Sequence, residues 1–218
     1  MSTSNLRLCL ISSILSLASA MAHAAPVALA DGGFESIGTP AATGSDGQVT
    51  FQYRPSGTAW SYAGYAGVAN SYSRLSAYEG NQFALLQMNT GSISQFFTLD
   101  QGGQVDLSFA IALRTGFAQY VAGQSVSVAV DGQELQRVVA GSTAWKLGTY
   151  DLGWLNAGKH NLTFSGVGVV GANGAQLDTT AFIDAVSLNQ NLPEPASLAL
   201  VAVAGVGLGQ ARRRPRSS

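Results

Sequence analysis

The sequence predicts an all-β fold, an antiparallel β-sandwich, and three observations carry that expectation. Over residues 104–113, Val105, Leu107, Phe109, Ile111 and Leu113 alternate with Gln104, Asp106, Ser108, Ala110 and Ala112. Strict period two over this length is the signature of a half-buried strand. Val126, Val128 and Val130 alternate with Ser125, Ser127 and Ala129, and Asp131-Gly132 then gives a two-residue hairpin signal leading into 135–139. The third observation is that no segment of 25–191 sustains a helical period. Many short strands joined by Gly-rich turns read as a sandwich or jelly roll.

The remaining elements follow in order. Residues 83–88 and 93–99 flank Asn89-Thr90-Gly91-Ser92, which predicts a further hairpin. Residues 160–165 and 181–188 read as strands. Residues 40–80 lack a long alternation and carry Tyr53, Trp60, Tyr62, Tyr65, Tyr72 and Tyr78 among small residues. That stretch predicts loops and short strands across one face or rim. Gly166-Val167-Gly168-Val169-Val170-Gly171 matches a nucleotide-binding glycine pattern, but a loop follows it where the motif needs a helix.

Composition bounds the function. The chain has 218 residues, 46% hydrophobic and 11% charged, with formal net charge −1. It is too apolar for a disordered chain and too rich in Gly, Ser and Thr for a helical bundle. A near-zero balance leaves no basic footprint for nucleic acid. Cys9 is the one cysteine, which excludes a disulfide framework and a Cys-based zinc site. Within 25–191, eleven carboxylates face six Lys and Arg, so that segment carries −5. Such a surface does not attract polyanions by bulk charge.

Both ends read as addresses. Arg7 precedes an apolar run over 8–20, closed by Ala22-His23-Ala24. This is a secretory signal peptide spanning 1–24, cleaved after Ala24, and Cys9 leaves with it. The β-sandwich domain then occupies 25–191. Residues 192–218 hold Pro193-Glu194-Pro195, an apolar helix over 196–209, and Arg212-Arg213-Arg214. The apolar stretch is shorter than the ~20 residues of a full spanning helix. The arginines stay cytoplasmic, which places the middle of the chain outside the inner membrane. Motif, apolar helix and basic tail, in this order, resemble the PEP-CTERM sorting tag of Gram-negative bacteria. The resemblance implies a transient inner-membrane intermediate with a transmembrane helix, processing by an exosortase, and delivery to the cell surface or matrix of an exopolysaccharide-producing species.

Segments of the middle region carry a second resemblance. They are Asp31-Gly32-Gly33-Phe34-Glu35, Glu79-Gly80-Asn81-Gln82-Phe83, Ser92-Ile93-Ser94-Gln95-Phe96, Val130-Asp131-Gly132, Ala157-Gly158-Lys159-His160-Asn161-Leu162 and Ala181-Phe182-Ile183-Asp184-Ala185-Val186. In this order they resemble a galactose-binding-domain-like jelly roll, the superfamily of many carbohydrate-binding modules. That superfamily includes binders of sugars, lipids and proteins, so the fold alone does not give the function.

Two groups of side chains are candidate sites. Asp184 shares strand parity with Phe182, Val186 and Leu188 and is expected to point into the core, where a carboxylate needs a partner. Calcium, a hard cation suited to an exported protein, is one such partner. The resemblance implies Glu35, Glu79 and Asp184 as its side-chain ligands. An ion pair with Arg114 or Lys159, or a carboxylate held by backbone N–H groups, are the alternatives. The second group is Trp60, Tyr62, Tyr65 and Tyr72, whose flat rings suit the C–H faces of pyranoses. The alternative places Trp60 in the sandwich core and the tyrosines on loops. Trp145 and Trp154 read as packing residues.

Catalytic signals are poor. G-x-S-x-G and H-E-x-x-H are missing from the sequence. His160 is the one histidine of 25–191 and reads as a packing residue. The expectation is therefore an exported surface or matrix protein that binds extracellular polysaccharide without catalysis. A structural protein acting through protein–protein contacts is the first rival, and a glycan-active enzyme the second.

Overall fold

The computed structural model describes residues 24–38, 40, 42–43, 50–72, 75–114 and 124–192. Ala22 of the cleavage motif, and Pro193, Glu194, Pro195 and Arg212–Arg214 of the sorting tag, lie outside the described residues. Residues Ala25–Gln190 form one compact unit. Among the described residues, no helix is long and apolar enough to cross a membrane.

Among the described residues, fourteen strands carry the fold, with one 3-10 turn at Glu35–Ile37. In the first half of the chain they are β1 (Ala24–Val27), β2 (Ala42–Thr43), β3 (Thr50–Tyr53), β4 (Ser61–Ala63), β5 (Ala66–Tyr72), β6 (Leu75–Ser76) and β7 (Phe83–Gln87). The second half adds β8 (Ser92–Leu99), β9 (Gly103–Leu113), β10 (Ser125–Val130), β11 (Gln133–Val138), β12 (Lys146–Leu155), β13 (Gly158–Val167) and β14 (Thr180–Asn191). The larger sheet runs β12-β9-β14-β7-β5-β3-β2, with β1 beside β14 and β6 beside β5. The smaller sheet runs β11-β10-β13-β8-β4. The fold is an antiparallel β-sandwich of the jelly-roll kind, as the alternation predicts.

The period-two strands fill the space between the sheets. Val105, Leu107, Phe109 and Ile111 of β9 meet Val126 and Val128 of β10 and Leu162 and Phe164 of β13 in one buried cluster. Each such side chain contributes about 1.5–3 kcal/mol by leaving water. Gln95 is buried in the row between Ile93 and Phe97. Its amide is satisfied by the backbone of Ala30, accepting from Ala30 N at 2.8 Å and donating to Ala30 O at 2.8 Å. The Asp131-Gly132 turn forms as expected, with φ of 53° and 83°, and joins β10 to β11.

Two expectations are corrected. The first concerns 89–92, which does not close a hairpin. β7 pairs with β5 and β14, whereas β8 pairs with β13 and β4, so the chain crosses from one sheet to the other. The crossing is tight: a Cβ on Gly91 would stand 2.7 Å from Gln87 N and 2.8 Å from Tyr65 O. Both flanking segments are apolar, and local pattern alone does not say which sheet each joins.

The second correction concerns Asp184. Ala181 and Ile183 face the inter-sheet core, and so do Val186 and Leu188. Phe182 lies in a separate cluster. The parity switches because Ala185 adopts φ 52°, a left-handed conformation rare for a residue with Cβ. One extra residue in a strand turns every later side chain to the other face. Asp184 therefore sits on the Phe182 side of the sheet, away from the inter-sheet core.

Asp31-Gly32-Gly33 packs onto this bulge. Val186 N donates to Gly32 O at 2.9 Å. A Cβ on Gly32 would lie 2.1 Å from Val186 O, and backbone cannot yield as a side-chain tip can. At Gly33 the nearest atom is Glu79 Oε1, at 3.2 Å, the end of a flexible side chain. Gly32→Ala is therefore expected to cost about 1–3 kcal/mol, the range for overpacking. Gly33→Ala should cost clearly less. Thermal unfolding of the two variants beside wild type checks the order, at roughly 2–4 °C per kcal/mol for a chain of this size.

Candidate functional site

The face of the larger sheet that points away from the smaller one is aromatic where a solvated face would be polar. Ala69, Tyr72, Phe83, Leu85, Ala112 and Phe182 form its buried floor, with Phe51, Tyr53 and Trp145 packed against it. Rings follow one another across this face. Tyr65 stands edge-on to Tyr53 at 5.8 Å, Tyr53 to Phe51 at 4.9 Å, and Phe51 tilts toward Tyr72 at 5.9 Å. Tyr72 meets Phe182 at 5.2 Å, and Phe182 meets Phe83 at 5.2 Å. Phe83 then meets Trp145 at 5.6 Å, and Trp145 meets Tyr78 at 6.2 Å. The rings at the two ends are the open ones: Tyr65 is 53% exposed and Tyr78 43%.

Register explains the arrangement. Tyr53 pairs with Gly67, Gly67 with Leu85, and Leu85 with Phe182, in one row across β3, β5, β7 and β14. In the next row Phe51 pairs with Ala69 and Ala69 with Phe83. Small residues on β5 leave room for the rings on either side. A Cβ on Gly67 would fall 2.9 Å from the Tyr53 Cα, so glycine permits the close approach.

A polar chain lies against the Tyr65 end of the belt. The Tyr53 hydroxyl donates to Gln87 Oε1, and the Gln87 amide donates to Asp178 Oδ1. Arg114 Nη1 donates to Asp178 Oδ2 at 3.0 Å, and its guanidinium stands 5.3 Å from the Tyr72 ring centre. Burial, reinforced by neighbouring Tyr72 and Asp178, pushes the Tyr53 phenol up to about 12. Tyr53 therefore stays protonated and keeps its role as donor. Flat rings beside an amide, a carboxylate and a guanidinium can stack on the C–H face of a sugar and exchange hydrogen bonds with its hydroxyls.

The four rings expected as one platform separate. Trp60 is 2% exposed, packs on Phe34 at 5.3 Å and Phe164 at 6.1 Å, and donates its indole N–H to Asp31 O at 2.9 Å. It is a core residue and presents no face to a ligand. Tyr62, on β4, packs against the same core, and burial holds its phenol well above the ordinary range. Tyr72 lies buried within the outer-face belt, and Tyr65 is exposed at its end. The cluster divides because Trp60 and Tyr62 sit at the smaller sheet, whereas Tyr65 directly precedes β5 of the larger one and Tyr72 ends it. Phe51, Phe83, Trp145 and Phe182 were not in the expected set. Phe51, Phe83 and Phe182 occupy strand positions that face away from the inter-sheet core, and Trp145 directly precedes β12. Trp154, expected to pack, is 59% exposed on edge strand β12.

Glu35, Glu79 and Asp184 gather around one turn, residues 78–82. Asp184 is fully buried. Its Oδ2 accepts from Tyr78 N at 2.8 Å and Glu79 N at 3.1 Å, and its Oδ1 from Ala185 N at 2.7 Å. Glu35 Oε1 accepts from Asn81 N at 2.6 Å and Gln82 N at 2.7 Å. A Cβ on Gly80 (φ 61°) would lie 2.3 Å from Glu35 Oε1, so glycine lets the turn close over the carboxylate. Arg114 pairs with Asp178, and Lys159 Nζ lies 3.9 Å from the Phe96 ring centre. Backbone N–H groups, rather than either cation, hold Asp184. Among the described residues, no three His, Cys, Asp or Glu side chains are arranged to hold a metal ion.

His160 pairs with Asp131 through Nδ1 at 2.7 Å and faces Asn156 O through Nε2 at 2.9 Å. With Nε2 directed at a carbonyl, this arrangement is not that of a Ser-His-Asp triad.

The chain path is similar to those of several carbohydrate-binding modules. One is a TmCBM61 module solved with β-1,4-galactotriose: 15% identity, TM-score 0.49, covering 76% of this chain and 99% of that one. Another is a family 35 module from Clostridium thermocellum: 16% identity, TM-score 0.43, 64% of this chain and 96% of that one. A third is the tandem CBM22 domain of Paenibacillus barcinonensis Xyn10C: 12% identity, TM-score 0.42, 67% of this chain and 46% of that one. No protein-family model matches the sequence, and no curated protein does either.

Asp184 makes stability depend on pH. Burial, aided by the adjacent Glu79 charge and opposed by the three N–H bonds, raises it from 3.8 to about 6. Between those values the folded state keeps a proton that the unfolded chain has released. Stability in chelator is therefore expected to fall as pH rises from ~4 to ~6, by about 2 kcal/mol, and to level off above ~7. Asp184→Asn should flatten this slope. Urea midpoints of both proteins across the range are the measurement.

Proposed function

We propose that the protein binds extracellular polysaccharide non-covalently through the outer face of its larger sheet. The observation that supports this reading is the exposed Tyr65 ring set edge-on against Tyr53, at the head of the Tyr53–Gln87–Asp178–Arg114 chain. Tyr65 supplies a flat apolar surface, and the polar chain supplies donors and acceptors that fix the orientation of a sugar ring. Tyr65→Ala is expected to lower retention on the target polysaccharide about tenfold or more, since base or sugar stacking on one ring is worth on the order of 1–2 kcal/mol. Its melting temperature should stay near wild type, because the ring is exposed. Trp60→Ala, a core substitution, should instead unfold the protein. Affinity electrophoresis of both variants in gels cast with the producing organism's exopolysaccharide is the test. Unchanged retention in Tyr65→Ala overturns the site. A folded wild type that binds no polymer overturns the function in favour of protein–protein contacts. Release of soluble sugar assigns an enzyme.

Calcium at the 78–82 turn belongs to the same proposal. Both Asp184 oxygens and Glu35 Oε1 already accept backbone N–H groups, so an ion would share these oxygens and draw on Glu35 Oε2 and the Glu79 carboxylate, hard donors of the kind calcium takes. A bound ion would make the Asp184 charge favourable and abolish the fall in stability between pH 4 and 6. Identical pH profiles in calcium and in chelator remove the ion from the proposal.

Export is the third part of the reading, resting on Ala22-His23-Ala24 and on Pro193-Glu194-Pro195 with Arg212–Arg214. The surface-associated protein is expected to lack both the signal peptide and the tail after exosortase-type processing. Intact mass spectrometry of the cell-surface fraction checks this, and a dominant species that retains Arg212–Arg214 overturns it.

A further inference from the structure

His160, the third residue of β13, lies on the same side as Leu162 and Phe164, at the end of the core row, with its ring 5.4 Å from that of Phe97. The side chain is 12% exposed. Nδ1 lies 2.7 Å from Asp131 Oδ2, and Nε2 lies 2.9 Å from Asn156 O. Both partners can only accept. A peptide carbonyl carries no proton. The Asp131 carboxylate is held below its ordinary range by the His160 hydrogen bond, and its other oxygen accepts from Asn161 N at 2.8 Å. A neutral imidazole owns one N–H and satisfies one of these acceptors, whereas an imidazolium satisfies both.

We propose that His160 is a pH-sensitive latch that, when protonated, ties the Asp131–Gly132 hairpin turn to the 156–157 turn between β12 and β13. On deprotonation the ring keeps the proton on Nδ1, where the bond to a carboxylate is the stronger of the two. The Nε2 lone pair then faces the Asn156 carbonyl, and the 156–157 turn is released. That turn follows Trp154, the exposed indole of the edge strand. The groups around the ring are Asp131 from the β10–β11 turn, uncharged Phe97 from β8 and the Asn156 carbonyl from the far turn. The neighbouring Lys159 directs its ammonium over Phe96, on the opposite face.

Burial alone pulls the imidazole down, but acceptance by Asp131 and Asn156 outweighs it and carries His160 above 6.5. A group raised in the folded state gives stability that is complete below its unfolded pKa and is lost as pH rises through the folded one. Asp184, raised to about 6, exerts most of its effect below this window.

The test uses the full chain. Between pH 6.5 and 8.5 the wild type is expected to lose on the order of 2–4 °C more in melting temperature than His160→Gln. Histidine NMR titrations, with His23→Gln to assign the two rings, should place His160 above 6.5 in wild type and lower in Asp131→Asn. Backbone amides of Ala157 and Gly158 should follow the His160 titration while Gly132 stays still. The latch is overturned if His160 titrates at or below 6.5, or if wild type and His160→Gln lose the same stability across the window. Movement at Gly132 with 157 and 158 unchanged overturns the choice of released turn. The NMR measurements keep the proposal open to refutation should His160→Gln not fold.

Discussion

The structure depends on the contact between the Asp31-Gly32-Gly33 segment and the bulge in the last strand. Here the two ends of the compact unit meet, backbone against backbone, with Val186 N on Gly32 O and no space for a side chain between them. Several other features hang from it. Asp31 O receives the Trp60 indole, and Asp31 Oδ1 receives the Glu35 amide at 2.6 Å. Phe34 and Trp60 then close one end of the core. Glu35 reaches the 78–82 turn, and that turn covers Asp184. A single steric constraint thus links the first turn, the last strand, the core tryptophan and the carboxylate group.

The bulge also decides what each face of the larger sheet does. Without the left-handed Ala185, the residues of β14 before and after it could not all serve their present neighbours. Ala181 and Ile183 would face the core while Val186 and Leu188 faced outward. The inserted residue lets the strand fill the core along its whole length and still place Phe182 and Asp184 on the outer face. The aromatic belt and the buried carboxylate are therefore products of the same irregularity. Both ask for something an ordinary solvated sheet face does not: flat apolar surface in one case, compensation for a desolvated charge in the other.

Much of the fold was legible in the sequence because period two is a direct readout of burial. β9 and β10 were visible in this way, and Asp131-Gly132 marked its hairpin through turn chemistry. The β7–β8 crossing was not, because an apolar strand says nothing about which sheet it joins. Asp184 was legible as a buried carboxylate, but its direction was not: alternation carries no sign of an extra residue, and alanine is an unusual residue at positive φ. The aromatic site was half legible. Rings at 53, 65 and 72 stood out by composition. Whether Trp60 or Tyr65 faced solvent depended on sheet assignment and so on long-range pairing. Phe83 and Phe182 were hidden among core residues, since outer-face and core-face aromatics look alike in a strand of continuous apolar character. The His160 pair was invisible, because Asp131 and His160 meet only through the β10–β13 ladder.

The edges of the two sheets bear on how such a protein behaves at high concentration. A long, flat, unpaired strand invites a second copy to add to it and start an aggregate. Three of the edges here are short or twisted: β2 has two residues, β4 has three, and β11 carries a register shift opposite Val128 and Ala129. The one long edge, β12, is broken between Asp151 and Trp154, where Gly153 turns to φ 81°. At that break the Asp151 carbonyl is already taken by the Gln136 amide at 2.8 Å. An incoming chain would find neither a continuous ladder nor a free acceptor at the middle of the strand. The described edges thereby offer little template for edge-to-edge pairing at high concentration.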